Sequence, residues 1–89
     1  MSKWFFKDPD EIWDYTWDWS EDIESTDTVT SATVTGSGVT IDGSGISGQT
    51  VTARVSGGTI GTPGSATCHA VFASGQEGER TIYFTIRDT

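Results

Sequence analysis

The chain has 89 residues, a formal charge of −8, one cysteine and eleven glycines. This length holds one domain at most, of modest stability, for which a partner or further copies would be a support. The lone Cys68 excludes an intramolecular disulfide, the acidic balance argues against a phosphate-bearing nucleic-acid partner, and no apolar run suits a membrane span or a signal peptide.

The charge is unevenly placed. Residues 1–27 hold nine acids against Lys3 and Lys7, a local charge of −7, and the remaining 62 residues carry −1. A soluble protein made in a reducing cytoplasm, with a separate acidic zone suited to a basic or aromatic-accepting neighbour, is the expectation. Residues 1–11 read as an extended docking arm ahead of a domain at 12–89. Trp4, Phe5 and Phe6 are its apolar anchors, because three large rings near a terminus rarely lie free in water. Lys7, Asp8, Asp10 and Glu11 follow, with the carboxylates set to pair with basic groups on a neighbour. Asp8-Pro9 suits the cap and start of a single turn over Asp10 to Trp13.

Strands are predicted near 13–19, 28–35, 39–42, 50–56, 66–74 and 80–88. In the first, Trp13, Tyr15, Trp17 and Trp19 share one face and Asp14, Thr16 and Asp18 the other. The aromatic face would fasten the arm to its own domain, with Trp13 and Trp17 also candidates for partner contact. The segment 28–35 has high β-propensity but few large apolar groups, so an edge position completed by a neighbouring subunit suits it. Period-two alternation is strict in 50–56 (Val51, Ala53, Val55), 66–74 (Ala66, Cys68, Ala70, Phe72) and 80–88 (Ile82, Phe84, Ile86). The last strand has the strongest apolar face and should meet Phe72, Val55 and Val34 or Ala32. Gly36-Ser37-Gly38, Gly43-Ser44-Gly45, Gly57-Gly58 and Gly75 to Gly78 are read as turns. Short strands with closely spaced turn signals predict an all-β, immunoglobulin-like antiparallel sandwich of about six to seven strands.

No catalytic constellation emerges, so the chain reads as non-enzymatic, without cofactor or metal. Asp8, Asp10 and Glu11 have Pro9 in their midst and no glycine before Gly36, unlike a calcium loop. Asp14 and Asp18 flank Trp17 as in a glycosidase, but they sort onto one strand face and 89 residues leave little room for a deep cleft. Cys68 and His69 are adjacent on a strand, which points them to opposite faces, and the chain has no other Cys or His for a zinc site. The glycine-rich run at 36–48 lacks the Gly-Lys-Ser/Thr of a phosphate loop. Binding and assembly remain.

The block Lys7-Asp8-Pro9-Asp10-Glu11, followed by Asp14-Tyr15 and Asp18-Trp19, resembles the opening of small tailed-phage proteins known as fibre-tail adaptors. Asp27-Thr28-Val29 with Ser31, then Ser56-Gly57-Gly58-Thr59, then Arg80 and Ile86-Arg87 extend the likeness over most of the chain. Thr62-Pro63-Gly64-Ser65 departs from it, standing where such proteins often carry a tyrosine. The resemblance implies a structural virion protein, made in the bacterial host cytoplasm and present as a symmetric homo-oligomer or in many copies. It would join fibre and tail components, and its partners would be other virion proteins: tail, fibre or capsid subunits. Two alternatives stand beside it: a cement or decoration protein on the phage head, and a carbohydrate-binding module using exposed Trp13 and Trp17.

Overall fold

The computed structural model describes residues 3–87; Met1 and Ser2 of the expected arm, and Asp88 and Thr89 at the end of the expected domain, lie outside the described residues. Seven strands follow one another: β1 (Lys3–Lys7), β2 (Trp13–Asp18), β3 (Val29–Ser37), β4 (Thr40–Ser47), β5 (Thr50–Ser56), β6 (Gly64–Phe72) and β7 (Glu77–Ile86). They form a four-stranded sheet in the order β1-β7-β6-β3 and a three-stranded sheet in the order β2-β5-β4. Among the described residues there is no helix, and so none long and apolar enough to cross a membrane.

The alternating residues carry the fold. Val51, Ala53 and Val55 from one sheet, and Ala66, Cys68, Ala70, Phe72, Ile82, Phe84 and Ile86 from the other, lie buried in one core with Trp17, Trp19 and Val29. Ala32 and Val34 pack against it, as the apolar pattern predicts. The two sheets therefore bury facing sides, and the all-β sandwich expected from the strand pattern is the observed architecture. Phe84 is wholly buried; its truncation to alanine belongs to the class of changes that cost about 3–5 kcal/mol.

Two elements differ from the sequence reading. Lys3–Lys7, expected within an arm, is a strand, paired parallel to β7 from Lys3 opposite Ile82 to Lys7 opposite Ile86. The second difference is at Gly43-Ser44-Gly45, expected as a turn. It lies inside β4, which runs on past Asp42 through a register shift between Ile41 and Gly43 and turns only at Gly48-Gln49. Pairing to the regular strand β5 holds these small residues extended despite their poor intrinsic preference.

Close approach requires glycine at several positions, of which Gly78 and Gly58 meet large core side chains. Gly78 lies under Trp19, where an added Cβ would come within 2.7 Å of the indole ring. Gly58 combines a φ of 116° with a Cβ position 2.8 Å from Ile86 Cδ1. Both let a large core side chain seat directly on backbone.

Candidate docking surface

β1 ends where β2 begins its approach, and the turn between them is held from within. The Asp8 N–H donates to Glu11 Oε1 (3.0 Å), the Glu11 N–H to Asp8 O (3.0 Å) and the Asp10 N–H to Asp8 Oδ1 (2.8 Å). Lys7 is fully buried, and its Nζ donates to Asp8 O at 3.0 Å and Gly57 O at 2.7 Å. Burial holds the Lys7 ammonium below its usual range, opposed by the neighbouring carboxylates of Glu11, Asp8 and Asp10. The bond to Gly57 ties this turn to the loop that joins β5 to β6.

The three rings of β1 separate by face. Phe5 turns inward, with Tyr15 at 5.1 Å and Phe84 at 6.3 Å between ring centroids. Tyr15 in turn meets Phe84 edge-on at 4.9 Å, and burial raises its hydroxyl pKa, with Glu11 adding to the effect. Trp4 and Phe6 point out, 61% and 64% exposed. Trp4 stacks on Tyr83 of β7 at 4.8 Å, and the Arg87 guanidinium lies 4.3 Å above the Phe6 ring. The Arg87 N–H donates to Lys7 O, which fixes that pair at the end of the β1–β7 ladder.

At the same end of the sandwich, Ile12, Trp13 and Ile60 are all more than half exposed. Trp13 shares the inward parity of Tyr15 and Trp17, but it is the first residue of β2, opposite Val55, where the sheets offer no further cover. Asp10 is exposed and Glu11 partly so.

The structure thus sorts the residues singled out in the sequence. Trp4, Phe6, Asp10 and Trp13 face solvent at one end of the molecule, with Phe5 and Glu11 partly covered beside them. Lys7, Asp8 and Trp17 face inward and support them. Burial of Trp17 removes the second ring that a Trp13–Trp17 sugar platform needs. Ile12, Ile60, Tyr83 and Arg87 join the surface without having been singled out. Ile60 alone had a signal, being a large apolar residue in a Gly- and Thr-rich loop.

Elsewhere several polar side chains are committed within the chain. Cys68 is buried beside Trp19, and burial pushes its thiol up to about 11. His69, on the outer face of the four-stranded sheet, lies between Glu77 (2.7 Å) and Glu79 (3.3 Å), which raise its pKa, Glu77 foremost. Arg54 makes a two-pronged bond to Asp14, and Arg80 pairs with Asp22 while lying 5.1 Å over Trp19. Among the described residues, no group of three or more His, Cys, Asp or Glu is placed to hold a metal ion.

No curated protein matches the chain. A protein family does, over residues 7–85, a span that runs from the internally braced Lys7 turn almost to the end of β7. That family is described as podophage GP4 fiber-tail adaptor protein gp77, and with nearly its whole length matched the chain belongs to it, a structural adaptor protein of the phage virion.

Proposed function

We propose that the chain joins fibre and tail components of the particle without chemistry, and that it does so through the end of the sandwich bearing Trp4, Phe6, Ile12, Trp13 and Ile60. The observation that carries this reading is the outward placement of Trp4 and Phe6. Each ring is already braced on its own sheet, by Tyr83 and Arg87, so a partner covers a rigid aromatic surface at little ordering cost. Asp10 and Glu11 at its rim pair with basic groups on the neighbour and set the register. Phe5, Lys7, Asp8 and Trp17 act from beneath, holding residues 3–11 as a docking segment laid along its own domain. Family membership supports the adaptor role; the surface supplies the means.

Trp4→Ala combined with Phe6→Ala removes two exposed rings and leaves the core intact. The double variant should keep the wild-type strand spectrum and melting behaviour while losing incorporation into particles assembled in its presence. Incorporation at the wild-type level would overturn this assignment of the surface.

A further inference from the structure

We propose that β3 is a self-association edge, on which a second copy of the chain pairs its own β3 antiparallel. β3 is the last strand of its sheet and has a ladder with β6 alone, so along its outer side alternate backbone N–H and C=O groups meet no strand among the described residues. From Ala32 opposite Ala70 to Ser37 opposite Ser65 the pairing with β6 is unbroken, and the one irregularity is confined to Val29/Ser31. That regular stretch is a ready template for another strand.

Sheet edges are ordinarily guarded by charges, prolines, bulges or shortness. The other three edges of this sandwich have such guards. β1 is five residues long, β2 carries Asp14 and Asp18, and β4 has its register shift at Asp42 and two glycines. The nine residues of β3, Val-Thr-Ser-Ala-Thr-Val-Thr-Gly-Ser, hold no charge and no proline.

The charge distribution selects the occupant. Residues 28–53, which include both β3 and β4, carry a single charged side chain before Arg54 on β5, that of Asp42, in a chain of net charge −8. A basic partner is drawn to the acids of residues 1–27. Two copies of the same acidic body approach with least repulsion along this neutral flank. Antiparallel pairing of one strand with itself is isologous, so it closes at two copies along that edge. It joins the sheets into one of order β1-β7-β6-β3-β3-β6-β7-β1, with no free edge at the junction.

Thr33 and Thr35 are exposed on the outer sheet face and give the test. In sedimentation equilibrium the full chain should rise in mean mass toward a dimer with concentration. Hydrogen exchange of the amides in 32–37 should slow in step. T33E/T35E and T33K/T35K, each with the wild-type strand spectrum, should dimerise at least about tenfold more weakly, because like charges face across the junction. An equimolar mixture of the two should restore a heterodimer. A wild-type chain that stays monomeric at every concentration, a dimer whose β3 amides gain no protection, or charged variants that dimerise like the wild type would each overturn the proposal.

Discussion

Asp27 shows how one side chain can hold a long connection. It is buried in the turn that enters β3, and Oδ1 accepts the N–H groups of Thr28 (2.9 Å) and Ser74 (3.1 Å), while Oδ2 accepts the Ser74 hydroxyl at 2.7 Å. The loop between β6 and β7 is thereby pinned to the start of β3. These donors, the Ser74 hydroxyl foremost, hold the carboxyl below its usual range against the opposing effect of burial. Folding therefore favours the ionised form. Its contribution is complete above the ordinary value of 3.8 and is lost as pH falls through the lower folded-state value. Asp27→Asn should lower the melting temperature by several degrees at neutral pH, with the gap to wild type closing in acid. A gap that stayed constant with pH would show that the ionised form has no special role there.

At the scale of elements, β2, β5, β6 and β7 were legible because each has one dry face and one wet face. Their alternation names the core residues Trp17, Val51, Ala53, Val55, Cys68 and Phe84 directly. β1 was not legible as a strand, because Trp4-Phe5-Phe6 shows no alternation. Phe5 meets Tyr15 and Phe84 on the inner face, while Trp4 and Phe6 on the outer face rest against Tyr83 and Arg87 and stay largely exposed, so large apolar residues stand on both sides. The glycines of β4 misled for the opposite reason: their preference for turns is overridden by a partner strand. Trp13 was placed on the correct face, but its exposure depends on its being the first residue of β2, which parity does not encode. Lys7 looked like a surface charge and is instead a clamp between two loops. Lys7→Met preserves the stem and leaves the carbonyls of Asp8 and Gly57 short of a donor, so it should cost about 2 kcal/mol. The check is a lower urea midpoint with an unchanged slope, together with faster exchange in the loop from Gly57 to Pro63.

For the whole molecule, sequence and fold divide the surface by charge and polarity. Acids gather in residues 1–27, exposed rings at the end where β1 finishes, and an uncharged edge at β3. On the two proposals made above, that division would direct unlike partners and like copies to different sides, where they do not compete.

The parallel pairing of β1 with β7 has a mechanical consequence. Lys3 lies opposite Ile82 and Lys7 opposite Ile86, so the leading end of β1 and the trailing end of β7 sit at opposite ends of one ladder. Tension applied between residue 3 and residue 87 pulls the two strands lengthwise past each other. Every hydrogen bond of the ladder is then loaded together, in shear, and none can peel ahead of the rest. Pulled as a single molecule through those ends, the domain should resist to a sharp, high rupture force. Pulled through residues 3 and 82, which face each other at one end of the ladder, it should unzip at a lower one, as β1 peels away bond by bond. A link that is stiff along one line of load and yields along another suits a part that must transmit force between two bodies.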